Sequence, residues 1–252
     1  MAIALRKPQE IEKLRAANKI VAQTLDLLSK NTNAGISLKE LDAMAEDFII
    51  AQGAKPSFKG LYDFPNSVCC SLNETIIHGI PTDYRLKDGD IIGFDVGTEL
   101  DGWFGDGAIT IGVGKISNED EKLIACAKET LYEAIESIKE GMRFKELSLI
   151  LENSIRSRGF VPLHDFCGHG IGKKPHEEPE IPNYLNGSNT KSGPKIKNGM
   201  VFCLEPMICQ KDGQPKILEN GWDVISEDRL RGSHYEHTVA VINGKAEILS
   251  TI

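Results

Sequence analysis

The sequence predicts an α+β fold made of two pseudo-symmetric halves, each with paired helices packed on antiparallel sheet. Three observations predict it. The chain repeats itself once, its helical and strand-like segments fall in separate runs, and no low-complexity linker divides its 252 residues. Residues 35–56 align with 141–162 at an offset of 106, with identical pairs Gly35/Gly141, Lys39/Lys145, Glu40/Glu146, Leu41/Leu147, Glu46/Glu152, Gly53/Gly159 and Pro56/Pro162. A second match, LKDGDIIGFD at 86–95 against IKNGMVFCLE at 196–205, places Asp95 on Glu205. The expectation is a single domain over 1–252 with an internal duplication, about 8–113 and 117–245.

The elements follow in order. Pro8 suits a helix start, and Ile11, Leu14, Val21, Leu25 and Leu28 continue at helical spacing. Ser37-x-x-Glu40 is a capping box, with Leu41, Met44 and Phe48 expected on one face and Gly53 as the stop. Ser117-x-x-Asp120 opens a third helix through Leu123, Ala127, Leu131, Ile135 and Ile138, expected to stop at Gly141. A fourth runs to Gly159 through Leu147, Leu151 and Ile155. Strand-like runs follow each helix pair, at 91–97 and 103–113, then at 165–172, 200–208 and 235–242, the last expected to be the final strand.

Composition narrows the function classes. A hydrophobic share of 40% and a charged share of 26% describe an ordinary soluble globular chain. No apolar run approaches the roughly 20 residues needed to cross a bilayer. Ala2-Ile3-Ala4-Leu5 before Arg6 and Lys7 is too short for a secretory segment. Six cysteines with no CxxC pair read as reduced, mostly buried thiols, so the expected compartment is cytoplasmic and no membrane is a partner. A net charge of −8 argues against nucleic acid as the main ligand, and Lys191, Lys195 and Lys197 read as a solvated loop.

The acids carry the chemistry. Alternation in Ile91-Ile92-Gly93-Phe94-Asp95-Val96-Gly97 puts Ile92, Phe94 and Val96 on one face and Asp95 on the other. Asp106 stands in the same way opposite Ile109, Ile111 and Val113. Glu99-Leu100-Asp101-Gly102 is a hairpin turn between them. A midpoint between Leu100 and Asp101 would make the two aspartates direct cross-strand partners, and any even-length loop keeps them on one face. Opposed carboxylates repel unless a cation lies between them, one is protonated or both reach water. Glu205 before Pro206, Glu236 at the start of a strand, and His169 between Gly168 and Gly170 bring the set to four carboxylates and one imidazole. Each alone reads as an ordinary solvated or hydrogen-bonded side chain. Together they suit two divalent cations, whose charge of +4 balances −4. Oxygen-dominated ligands favour manganese, iron or cobalt, with catalytic zinc also open.

Asn73-Glu-Thr-Ile-Ile-His78-Gly-Ile-Pro81, Asp95-Val-Gly-Thr98, Gly105-Asp106, Gly168-His169-Gly170-Ile-Gly172, His176-Glu-Glu-Pro179, Glu205-Pro206 and Tyr235-Glu236-His237-Thr238 closely resemble the type I methionine aminopeptidases, from the first helix to the C-terminus. The short stretch between His169 and Glu205 resembles type I rather than type II. The resemblance implies the pita-bread fold and a metal-dependent aminopeptidase that removes the N-terminal methionine of newly made proteins, preferring a small second residue. It implies that Asp95, Asp106, His169, Glu205 and Glu236 hold two metal ions, with Asp106 and Glu236 bridging them. Water held between those ions would attack the first peptide bond, with Glu205 as general base. His176 would meet the carbonyl oxygen and His78 the scissile amide nitrogen. Cys69, Phe64, Leu61 and Trp222 would line the methionine pocket. Leu61 and Pro175 stand where many members carry an aromatic residue, and Phe58 where many carry a small one. The implied partners are N-termini of nascent polypeptides and a transient contact with the ribosome, the protein acting as a monomer. A proline-directed peptidase sharing the metal ligands, and a catalytically silent peptide-binding relative, are the rival readings.

Met1 precedes the small residue Ala2, so the chain is itself a substrate of the implied type. The expected mature protein begins at Ala2, which intact-mass measurement of native protein checks. Retained, unformylated Met1 would count against the assignment.

Overall fold

The computed structural model describes residues 3–185, 187 and 189–251. Met1 and Ala2, on which the processing expectation falls, lie outside the described residues. Among the described residues four α-helices flank one large sheet. Helix α1 spans Pro8–Asn31, with the proline at its start, where its missing N–H costs nothing. Helix α2 spans Leu38–Ala51. Its capping box forms as expected, the Ser37 hydroxyl accepting from Glu40 N (3.2 Å) and the Glu40 carboxylate from Ser37 N (2.8 Å). Helices α3, Asn118–Ser137, and α4, Phe144–Ser157, complete the set. Both α2 and α4 have 14 residues and lie 106 apart.

Two helix details differ from expectation. The buried stripe of α2 is Leu41, Ala45 and Ile49, while Met44 and Phe48 are half-buried. The buried residues Leu38, Leu41, Asp42, Ala45 and Ile49 centre that face near Ala45, and at about 100° per residue Met44 and Phe48 stand to one side of it. Helix α3 ends at Ser137, four residues before Gly141. Ile138 turns to extended backbone while its side chain stays buried, and Glu140 N then bonds Gly244 O at 3.1 Å.

The large sheet has nine strands, all antiparallel: β1 Lys55–Pro56, β2 Cys69–Leu72, β3 Ile91–Leu100, β4 Trp103–Gly112, β5 Cys167–Gly170, β6 Glu177–Pro182, β7 Val201–Leu204, β8 Glu236–Ile242 and β9 Lys245–Ile248. Their order is β1-β3-β4-β8-β7-β5-β6, with β2 also on β3 and β9 also on β8. Glu236 therefore opens the penultimate strand, because Asn243-Gly244, both with positive φ, turns the chain back into β9. Two small three-stranded sheets carry the segments around His78, Trp222 and His234. One joins Thr75–Ile77, Pro215–Ile217 and Val224–Ser226, and the other Val161–Pro162, Met207–Cys209 and Gly232–His234.

Alternation divides the large sheet chemically. Ile92, Phe94 and Val96 pack with Leu25, Leu28, Leu41 and Ile49 under α1 and α2. In the second half Phe202, Leu204, Val239 and Val241 pack with Leu131, Ile135, Leu147 and Leu151 under α3 and α4. The opposite alternation carries the acids. Among the described residues no helix is long and apolar enough to cross a membrane.

The β3–β4 hairpin turns on Asp101 and Gly102, with φ of 51° and 72°, a two-residue turn of the type Asp-Gly favours. Its centre lies one residue further on than the sequence suggested, so Asp95 pairs with Ala108 and Asp106 with Gly97. The two aspartates are thus diagonal neighbours on one face rather than direct partners, as an even-length loop requires. The α1 residue Asn18 ties the helix to this hairpin: it is fully buried, and its side-chain oxygen accepts from Asp106 N at 3.2 Å. Asn18→Ala orphans that buried N–H, and the expected loss is about 1–3 kcal/mol in urea unfolding. A variant as stable as the parent would show that the bond contributes nothing.

Candidate metal and substrate site

Register extends the acid row across the sheet. Asp95 on β3 and Glu236 on β8 both pair with Ala108 on β4, whose small side chain leaves room between them. His237 pairs with Leu204, so Glu205, one residue beyond β7, falls opposite Glu236. Gly170 pairs with Phe202, which brings His169 to the same face. Gly168 and Gly170 allow this approach: a Cβ on either would lie about 2 Å from the carbonyl oxygen of Cys203 or Glu178. All five expected ligand residues therefore line one cleft of about 550 Å³.

The imidazole of His169 is oriented for ligation. Its Nδ1 lies 3.0 Å from Gly170 O and donates to it, leaving Nε2 as the lone-pair nitrogen. That Nε2 stands 3.4 Å from Glu205 Oε1 and 3.9 Å from Asp106 Oδ2. Among the described residues no lysine or arginine comes within ion-pair distance of the four carboxylates. Burial pushes Asp95 up to about 7. Burial, then the charges of Glu236 and Asp95, pushes Asp106 well above the usual carboxylate range. Glu205 rises for burial and for Asp106 and Asp95, and Glu236 for burial and for Glu205 and Asp95. Burial holds His169 down at about 3. Asp95 Oδ1, Glu205 Oε1 and Glu236 Oε1 are buried without a hydrogen-bond partner. Crowded acids with unpartnered buried oxygens and no cationic side chain beside them among the described residues fit divalent metal ions, which supply the missing positive charge.

A tighter cluster within the site includes a thiol. Ligand atoms of Asp106, His169, Cys203 and Glu236 lie within 4.8 Å of one another. Cys203 is not part of the cleft lining, its sulfur is 3.4 Å from Thr238 Oγ1, and burial pushes its thiol well up. The oxygen-and-imidazole set is the better donor set for an open site.

His234 was missed from the sequence. It is buried, its Nε2 has no partner, and it stands 3.8 Å from Glu205 Oε2 and 4.0 Å from Glu236 Oε2. Its position two before Glu236, on the same alternation, was the available signal.

The substrate side of the cleft adjoins Asp95. Cys69 pairs with Asp95 across β2 and β3, and packs with Phe58 and Phe64 in an apolar cluster joined by Leu61, Ile80 and Trp222. The Phe64 and Trp222 rings meet edge to face at 5.0 Å. Cys69, Phe64, Leu61 and Trp222 all line the cleft, as do His78 and His176. Phe58 fits because it lies over Gly97, where a Cβ would strike its ring. His78 takes a left-handed backbone, φ 59°, a conformation that an L side chain holds only when its surroundings enforce it. Burial lowers it to about 4, so it faces the cleft as a neutral ring. Exposed Tyr62, which the sequence did not single out, stacks on His176 at 6.3 Å.

Comparison with known proteins follows the same lines. Residues 12–243 match the model of metallopeptidase family M24. The chain is 63% identical over 251 residues to methionine aminopeptidase of Helicobacter pylori, covering 99% of both. Its structure superposes on the crystal structure of methionine aminopeptidase from Thermotoga maritima with a TM-score of 0.96 at 33% identity, covering 100% of each. Prolidase from Pyrococcus furiosus shares the fold at a TM-score of 0.80 and 25% identity, but the match covers 98% of this chain and only 65% of the prolidase.

The crowded acids predict how chelator-stripped protein responds to pH. Their folded pKa values lie above the unfolded ones, so the native state binds more protons and stability falls as pH rises. Below about 6.5 the lowered His78, His169 and His234 act in the opposite sense, which sets the clean window above that pH. The melting temperature of stripped protein is expected to drop between pH 6.5 and 8, and added manganese to abolish the drop. A flat or rising profile without metal would contradict the arrangement.

Proposed function

The chain belongs to metallopeptidase family M24, and from that premise we propose how its cleft removes an N-terminal methionine. The enzyme is a metal-dependent methionyl aminopeptidase of pita-bread fold. The observation that carries the proposal is a row of buried, cation-free carboxylates running into an apolar pocket through the Cys69–Asp95 pair.

Asp95, Asp106, His169, Glu205 and Glu236 would hold two divalent ions, and the choice among manganese, iron, cobalt and zinc is open. When bound, such a pair supplies Lewis acidity, lowering the pKa of water and accepting a neutral amine. The remaining work belongs to side chains. The pocket of Phe58, Phe64, Cys69 and Trp222 receives the methionine side chain, whose polarizable thioether suits aromatic walls. That contact sets the first peptide bond beside the acids. Glu205, opposite Glu236 at the end of the acid row, takes the proton of the attacking water. His176 donates to the carbonyl oxygen as negative charge develops there, and His78 guides protonation of the departing amide nitrogen.

Nascent polypeptide N-termini are the proposed partners, met by a cytoplasmic monomer through transient contact at the ribosome. A small second residue is preferred because His176 and Tyr62, 6.3 Å apart, crowd the cleft mouth beyond the scissile bond.

Glu205→Gln keeps shape and removes the proton acceptor. On the tripeptide Met-Ala-Ser with saturating metal, its kcat is expected to fall by about 10²–10⁴-fold. The parent enzyme should release methionine from that peptide and leave an Xaa-Pro substrate intact. Preference for the Xaa-Pro substrate would move the enzyme to the prolidase branch, and full activity in the Gln variant would remove Glu205 from the mechanism.

A further inference from the structure

We infer that Arg6, in the segment before α1, is a positioning residue for His176 and acts through the carboxylate of Glu177. The inference rests on the proposed role of His176 at the substrate carbonyl. The His176 ring has no hydrogen-bond partner among the described residues. It stacks on Tyr62 at 6.3 Å and stands edge-on to His169 at 4.5 Å. With no hydrogen bond of its own, the ring takes its place from the backbone on either side.

Glu177 organises that backbone. Its Oε1 accepts from Lys173 N at 2.8 Å and from Lys174 N at 3.2 Å, closing the loop that ends in His176. Its Oε2 pairs with Arg6 Nη2. The ion pair is sheltered, with the Arg6 and Glu177 side chains only 11% and 17% exposed, so water screens it weakly. Arg6 is itself braced. Its backbone N–H bonds Gly199 O at 2.6 Å, and its guanidinium lies 5.7 Å from the Trp103 ring, which Lys173 Nζ also approaches, at 4.0 Å. Gly172 makes the space: a Cβ there would fall on the guanidinium. The N-terminal arm thus clamps the carboxylate that closes the loop, and the loop delivers His176 to the cleft. Without Arg6 the backbone bonds to Glu177 remain, so the fold persists while the ring loses its fixed placement.

The test compares Arg6→Ala, Arg6→Lys and Glu177→Gln in metal-loaded enzyme on Met-Ala-Ser, with and without His176→Ala. Arg6→Ala is expected to lower kcat about 10- to 100-fold, the cost of roughly ångström-scale misplacement, with KM, metal content and melting temperature retained. Arg6→Lys should recover part of the loss. In the His176→Ala background Arg6→Ala should add less than about twofold, because both changes remove one function. Unchanged kcat in Arg6→Ala, an equal loss in both backgrounds, or a loss that tracks metal content would each overturn the inference. If His176→Ala alone leaves kcat unchanged, the proposed role of His176 falls first and takes the Arg6 inference with it. Should Arg6→Ala fail to fold, Glu177→Gln supports the same comparison, since it keeps a backbone acceptor but no longer pairs with the guanidinium.

Discussion

Four carboxylates are gathered in one cleft with no lysine or arginine within ion-pair distance among the described residues, and most of the architecture follows from that constraint. Burial opposes charge on all four, and neighbouring acids add repulsion at Asp106, Glu205 and Glu236, so each holds its proton more tightly than an ordinary acid when no metal is bound. Only a rigid frame can hold them together in that state. A sheet whose other face is packed under four helices is such a frame, because slipping any strand by one residue would exchange acids for core side chains. Divalent ions turn the same repulsion into binding, so the empty-charge cost of the fold and the affinity for metal are two sides of one arrangement.

The duplication serves this frame. At the same helix position in each half, a glutamate holds a loop that flanks the cleft. Glu46 bonds Lys59 and the Ser67 hydroxyl, while Glu152, 106 residues later, bonds Leu185 N. Asp42 adds bonds to the backbone N–H groups of Ser67 and Val68 just before Cys69. The wall of the proposed methionine pocket is therefore held from α2 in the first half, and the pairing of Cys69 with Asp95 joins that apolar cluster to the acid row without any intervening segment.

Much of this was legible in the chain of residues. The start of α1 at Pro8, the caps at Ser37 and Ser117, the offset linking α2 to α4 and the face of each acid are local matters of period and capping, and they stand in the structure as expected. The misses are equally physical. The hairpin centre fell one residue late because Asp101-Gly102 accepts positive φ at both positions, whereas Leu100 would not. Helix α3 stopped early because Glu140 found a partner on the β8–β9 turn, a contact no helical pattern can announce.

What the sequence determined by itself is the inventory: which segments are helix or strand, which side chains share a face, and which motifs match the methionine aminopeptidases. These depend on neighbours within a few residues, where backbone geometry leaves little choice. Tertiary structure alone decided who meets whom across the cleft. His234 reaches Glu205 and Glu236, Tyr62 covers His176, and Arg6 reaches Glu177 across 171 residues. Such distances are set by strand register and by the docking of one half on the other, and both are properties of the assembled sheet rather than of any segment in it.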